Sequence, residues 1–221
     1  MTPAANNVSA VLNEQDLISR LVKGDLIVTP ILDPQIQIGP TSIDIRLGFE
    51  FEVFNTSKHP HLDPLDEKLL EQQLDDYTSK IHVPPLGRFI LHPDEFVLAS
   101  TFEYFVLPSD LAGRLEGRST WGRLGLQIHS TAGFVDPGFE GVLTFELRNA
   151  GKTPLTLLPG TRIAQICFYQ TCTTAIPYIK KKNAKYYHML GTSRSLFYRD
   201  PEFARIRKAL REEMPDEGSL P

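Results

Sequence analysis

Glu146 stands in the middle of the run Val142-Leu-Thr-Phe-Glu-Leu-Arg-Asn149. Its alternation predicts a strand with Leu143, Phe145 and Leu147 on one face and Val142, Thr144, Glu146 and Arg148 on the other. A carboxylate so placed has two readings. It is either a solvated acid paired with Arg148 or a cross-strand base, or a general base whose pKa is tuned by partial burial. Just upstream, Thr131-Ala-Gly133 and Asp136-Pro-Gly138 read as turns facing that strand. Asp136 could accept a hydrogen bond from a sugar hydroxyl, and Asp before Pro-Gly is also an ordinary turn former.

A second cluster, Gly117-Arg-Ser-Thr120 followed by Arg123, joins a flexible backbone to two hydroxyls and two guanidinium groups. Arg presents paired donors that match phosphate geometry, and hydroxyls and loop amides complete the coordination of an anion. A surface turn with two solvated arginines is the alternative, since the pattern is not a Walker loop. His129, beside Leu126 and Ile128, is a proton shuttle or ligand in one reading and a hydrogen-bonded structural residue in the other, which residue types favour. Zinc chemistry is disfavoured. Cys167 lies inside an apolar run, Cys172 is five residues on, and the His-x-Glu with Pro-Cys-x-x-Cys arrangement of zinc deaminases is missing.

The elements that must position these groups are mostly short. Asn13 to Gly24 predicts a helix with Leu17, Ile18, Leu21 and Val22 on one face and Gly24 as its stop. From there to about residue 170, β-rich runs bounded by Pro, Gly and Asp (Phe49–Phe54, Glu95–Thr101, Leu111–Glu116, Val142–Asn149, Ile163–Tyr169) predict an all-β barrel or sandwich. His61 to Lys80 is charged and helical in character, and is expected to be an exposed excursion that supplies no strand. Asp200 and Pro201 open a C-terminal helix whose stripe Phe203, Ile206 and Leu210 should dock on the barrel or on a neighbouring subunit.

At 221 residues with 41% hydrophobic content, the chain suits a single domain over 1–221. A net charge of -4 lacks the basic footprint of a duplex nucleic-acid binder, so no nucleic-acid partner is expected. Two cysteines, no leader-like start and no long apolar stretch point to a cytoplasmic protein with no membrane partner.

The ordered segments GRSTWGRLG, HSTAGFVDPGF and FELRN within residues 117–149 resemble the dCTP deaminases, whose relatives include the trimeric dUTPases. Thr41-Ser-Ile-Asp-Ile-Arg-Leu-Gly48, Phe89 to Phe96 and Leu157 to Gln165 are similar to further elements of that family, so the likeness runs over about residues 13–190, with 191–221 a C-terminal segment with its helix. The resemblance implies a mainly β, distorted barrel or jelly-roll-like fold of dUTPase type with short N- and C-terminal helices. It implies a homotrimer with sites at subunit interfaces, dCTP as substrate, and Mg²⁺ bound through the substrate phosphates, with no zinc. By position, Arg118, Ser119, Thr120 and Arg123 would contact the triphosphate and Asp136 the 3′-hydroxyl. His129, Thr131 and Ala132 would shape the base pocket. Glu146 would activate water for attack at C4, with Ser119 helping to place it, giving dUTP and ammonia.

Tyr178 and Ala184-Lys-Tyr186 resemble the segment that folds over the nucleotide, with Lys185 a phosphate contact. The chain then departs from the family, reading Tyr187-His-Met-Leu-Gly191 where members commonly carry Gly and a phosphate-touching Gln. Gly133 resembles the dual-function members that carry dUTP on to dUMP and diphosphate. A plain dUTPase is disfavoured by Glu146 and by the absence of the dUTPase motif with Tyr at its uracil-stacking position, Phe139 standing nearby. A non-catalytic nucleotide-binding homologue is the third reading, raised by the altered lid.

Overall fold

The computed structural model describes residues 10–55, 62–65 and 77–213. Most of the predicted 61–80 excursion therefore lies outside the described residues. The N-terminal helix α1 (Glu14–Lys23) forms as predicted: the Asn13 side chain accepts the Asp16 N–H, and Gly24, at φ 75°, turns the chain out while donating to Arg20 and Leu21 carbonyls. Its buried stripe is narrower than expected. Leu17 is fully buried and Leu21 packs on the core, whereas Ile18 and Val22 face outward. Residues four apart share a helix face and their immediate neighbours are turned about 100° away.

The strands follow: β1 (Ile27–Thr29), β2 (Ile43–Phe54), β3 (Thr78–His82), β4 (Phe89–Leu91), β5 (Phe96–Val106), β6 (Leu111–Gly117), β7 (Leu126–Gln127), β8 (Phe134–Val135), β9 (Glu140–Asn149), β10 (Leu155–Leu157) and β11 (Arg162–Gln170). One-turn helices α2 (Pro34–Gln37) and α3 (Ser119–Gly122) sit between them, and α4 (Pro201–Glu213) closes the described chain. The architecture is mainly β, as expected. Its main sheet runs β7-β9-β5-β2-β11-β6-β8, with β1 added to β5 and β3 to β2, and curls into a half-barrel; β4 and β10 make a small second sheet. All the ladders are antiparallel, which lets short turns connect many neighbours. Inside the curl lie Phe51, Phe105, Phe145 and Phe168 with Leu and Ile side chains, and Phe51 stacks on Phe89 at 4.3 Å between ring centroids.

One expectation is corrected. Thr78 to Lys80 do join a strand, β3, whose pattern of one buried residue followed by four exposed ones is that of a polar sheet edge. In α4 the Asp200 carboxylate accepts the Glu202 N–H as a capping acid should, and Phe203 meets the Phe197 ring edge-on, but Ile206 and Leu210 remain exposed.

The ladder between β2 and β5 slips between Leu47 and Phe51, and that between β5 and β9 slips between Ser100 and Tyr104. Gly48 sits at this irregularity because a Cβ there would stand 2.8 Å from the Ser100 carbonyl oxygen. The same bend buries Glu103, which accepts the Arg46 backbone N–H at 2.8 Å and the Gln37 amide at 3.0 Å and lies 3.4 Å from the Arg46 guanidinium. Burial pushes its carboxyl up to about 7, against the downward pull of those Arg46 contacts. Because this folded value exceeds the ordinary 4.5, the group's stabilisation is complete below that pH and is lost as pH rises through 7. Glu103→Gln is expected to flatten the decline in stability between about pH 4.5 and 7, a difference of roughly 1–3 kcal/mol. Denaturant titrations across that range check it, and equal slopes in both proteins would place the titration elsewhere.

Candidate active site

Strand β9 presents its side chains as its alternation requires: Phe145 and Leu147 are fully buried and Glu146 is half-buried on the opposite face. Glu146 lies opposite Leu98 of β5, and Leu98 in turn lies opposite Glu52 of β2, so all three share one face of the sheet. The turn after β7 is fixed to this position. The Glu146 N–H donates to Ile128, and the Glu146 Oε2 accepts the Ser130 N–H at 2.8 Å, leaving Oε1 without a protein partner among the described residues.

Glu146 lines a cavity of about 600 Å³. Its lining includes Leu98, the cross-strand partner of Glu146, with Ala132, Phe139, Val142, Tyr186 and Met189, and with Phe54, Tyr77, Phe96 and Phe197. The wall is largely apolar with few polar groups, which suits a planar heterocycle held by a small number of directed contacts. A carboxylate on such a wall can exchange protons with a bound ligand, and proton transfer is the chemistry the arrangement supports.

Of the residues expected at the site, Glu146 and Ala132 line the cavity. Asp136 starts a turn in which Phe139 donates to the Asp136 carbonyl, with Pro137 and Gly138 (φ 77°) at its corners. The Tyr178 N–H donates to the Pro137 carbonyl at 2.8 Å and its ring lies 5.8 Å from that of Phe139, so Tyr178 and the Asp136 turn are one packed unit. Thr131 is exposed on the neighbouring turn. The His129 Nδ1 is buried without a hydrogen-bond partner among the described residues, and its Nε2 is 3.9 Å from Glu116, too far for a hydrogen bond. Gly133 makes room for that ring, since a Cβ at 133 would lie 2.9 Å from the His129 Nε2.

Arg118, Ser119, Thr120 and Arg123 do not line the cavity. They form the α3 turn, where the Arg118 N–H donates to Ile163 and the Arg123 N–H to Ser119, with Ser119, Thr120 and Arg123 exposed. Lys185 is tied to Asp200 at 2.6 Å, and this contact holds the Asp200 carboxyl below the usual carboxylate range. As a phosphate contact it would first have to leave that partner.

The chain after Tyr186 carries site residues that sequence reasoning missed. Met189 accepts the Val142 N–H, His188 donates to the Glu140 carbonyl, the Ser193 N–H reaches the Thr144 hydroxyl, and the Thr192 N–H reaches Glu50 while its carbonyl accepts from Lys80. The segment thus lies across β9 and β2 as a cover. Its sequence has no periodicity to announce this, and Gly141 of β9 gives the one local sign, since a Cβ there would stand 3.1 Å from the Met189 nitrogen.

Comparison with known proteins points one way. A family model described as dCTP deaminase-like matches residues 11–171. A dCTP deaminase of Haloarcula marismortui is 42% identical over 194 residues, which cover 87% of this chain and 97% of that protein. A dUMP-forming dCTP deaminase of Methanobrevibacter smithii is 42% identical over 200 residues, covering 90% and 96%. The crystal structure of the 2′-deoxycytidine 5′-triphosphate deaminase of Agrobacterium tumefaciens matches with a TM-score of 0.56 at 20% identity, over 73% of this chain and 48% of that one. The chain spans about half of that longer protein, and the likeness to it is one of fold.

Proposed function

The chain belongs to the dCTP deaminase-like family, and from that premise we propose that it hydrolyses dCTP to dUTP and ammonia, a step of pyrimidine deoxynucleotide synthesis. The observation that carries this reading is Glu146, held by the Ser130 N–H at the wall of a mostly apolar cavity with one carboxylate oxygen free. Glu146 takes a proton from water as the hydroxide adds to C4, passes it to N3, and supplies the departing amine with the proton from the new hydroxyl. The C4–N bond breaks and a carbonyl remains. Ala132, Thr131 and His129 are assigned to the base and Asp136 to the 3′-hydroxyl; Tyr178 braces the turn that carries Asp136.

Arg118, Ser119, Thr120, Arg123 and Lys185 are assigned to the triphosphate, with Ser119 also helping to place the water. The cations of α3 stand outside the cavity lining of their own chain, which supports a homotrimer in which α3 of one subunit meets the cavity of the next. The described residues gather no group of three or more His, Cys, Asp or Glu fit to hold a metal. Mg²⁺ is assigned to the phosphate oxygens of the substrate, where it would neutralise their charge. The reaction as proposed uses no zinc. No described helix is long and apolar enough to cross a membrane, and a cytoplasmic location belongs to the same reading.

A second reading, in which the product continues to dUMP and diphosphate, is favoured by Gly133, whose missing side chain lets the His129 ring pack beside it, and by the dUMP-forming relative. One experiment decides. Protein is incubated with Mg²⁺ and either dCTP or dUTP, with and without a zinc-selective chelator, and ammonia and diphosphate are measured. Ammonia without diphosphate supports deamination alone, and diphosphate from dCTP supports the dual activity. Nucleotide binding without either product would overturn both in favour of a non-catalytic homologue.

A further inference from the structure

Beneath the α3 turn lies an acid that the proposed reaction does not use. Asp44 of β2 is mostly buried, with 15% of its side chain exposed, and its Oδ2 accepts from the Arg162 guanidinium at 2.8 Å and lies 3.2 Å from the Arg118 Nε. The Arg162 carbonyl accepts both the Arg118 Nη1 at 3.1 Å and the Trp121 indole N–H at 3.0 Å. The Arg118 backbone N–H adds a bond to Ile163 at 3.1 Å.

We propose that Asp44 is a positioning residue that holds the Arg118 guanidinium with its free edge toward the phosphates of a bound nucleotide. This rests on the reading above that Arg118 contacts phosphate. A guanidinium has five N–H donors in a rigid planar fork. Here Nε faces Asp44 and one Nη1–H is spent on the Arg162 carbonyl, which fixes the plane and leaves three donors without a protein partner among the described residues. A long side chain held at two points needs less ordering when an anion arrives, so the contact favours affinity through pre-organisation. A carboxylate beside a phosphate site repels the ligand, and a residue whose only effect was its charge would weaken binding. Its hydrogen bond from Arg162 and its ion pair with Arg118 are what offset that repulsion.

Three roles for Asp44 separate in Asp44→Ala and Asp44→Asn, the second of which keeps an oxygen acceptor without the charge. Binding of inorganic tripolyphosphate with Mg²⁺ is measured by calorimetry, alongside deoxycytidine binding, dCTP kinetics and thermal melting. For Asp44→Ala the expected result is tripolyphosphate binding weakened about 10-fold and KM for dCTP raised by a similar factor, more than kcat falls, with deoxycytidine binding unmoved. Asp44→Asn should recover most of the loss, to within about 3-fold of wild type.

If both variants bind tripolyphosphate as tightly as wild type or tighter, Asp44 acts as a strut or as a counter-charge and the inference is overturned. Should Asp44→Ala fail to fold, Asp44→Asn with dCTP and tripolyphosphate affinities reduced as far as about 10-fold would overturn it as well, because the retained acceptor would then not be what matters. The tripolyphosphate arm reads phosphate positioning without any deamination. Wild-type protein that binds tripolyphosphate but leaves dCTP intact therefore refutes the function and not Asp44, whereas turnover of dCTP with an unmoved KM in Asp44→Ala refutes Asp44 and not the function.

Discussion

Glu146→Gln is expected to lower ammonia release from dCTP by roughly 10³-fold while nucleotide affinity stays within about 3-fold of wild type. The substitution is close to isosteric, and the amide oxygen can still accept the Ser130 N–H that now reaches Oε2 at 2.8 Å. The turn at 128–131 and the cavity wall are therefore kept. What is lost is a group able to take a proton from water and return it to N3 and the amine, and no other carboxylate among the described residues lines the cavity. Glu52 shares the sheet face but is fully buried, with Thr78 donating to its Oε1 at 2.6 Å, and it does not reach the cavity wall. Ammonia assays and calorimetry on the same preparation check the prediction. A residual rate within 10-fold of wild type, against the roughly 10²–10⁴-fold that general acid and base catalysis contributes, would mean that another group moves the proton.

How far this site could be read in the sequence depended on the range of the interactions that build it. The alternation in 142–149 is local, and it placed Phe145 and Leu147 inside and Glu146 on the other face, as the structure has them. The α1 caps at Asn13 and Gly24 were equally legible, because a cap acts within one helical turn. β3 was hidden because an edge strand buries few residues: Ser79 to His82 are exposed, so no apolar period marks the run. The setting of His129 was hidden for a different reason. Its neighbours in sequence are apolar, but its surroundings are set by Gly133 and Glu116, and nothing in either segment says that they close around the ring without a hydrogen bond. The cover formed by residues 188–193 is the extreme case. It is held to Glu50, Lys80, Glu140 and Thr144 by single backbone contacts, which any side-chain pattern permits. The resemblance in 117–149 supplied roles for Arg118 and Ser119, but it is the long-range pairing with Asp44 of β2 that sets them on a braced turn, away from the cavity of their own chain.

Gly138→Ala is expected to destabilise the protein by about 2–4 kcal/mol and to raise KM for dCTP about 10-fold, and a second glycine separates the two causes. Gly138 occupies the third position of the turn Asp136-Pro137-Gly138-Phe139 at φ 77°, a conformation that costs an L-residue roughly 1 kcal/mol wherever it occurs. Gly160 has a similar φ of 86° but open space where a Cβ would go, so Gly160→Ala should lose only that backbone contribution and leave KM alone. At Gly138 a Cβ would stand 2.3 Å from the Pro177 Cβ and 3.1 Å from the Tyr178 nitrogen, so the chain at 177–178 must move away. That displacement breaks the bond from the Tyr178 N–H to the Pro137 carbonyl and the contact between the Tyr178 and Phe139 rings, which together join the Asp136 turn to the covering segment. Tyr178 also accepts the Tyr186 N–H, and the Tyr186 hydroxyl accepts that of Leu196, so the disturbance runs on into the cover. Thermal melts and dCTP kinetics on both variants decide the matter. Equal stability losses with KM unchanged in both would show that the seat of Gly138 on Pro177 contributes nothing beyond the turn itself.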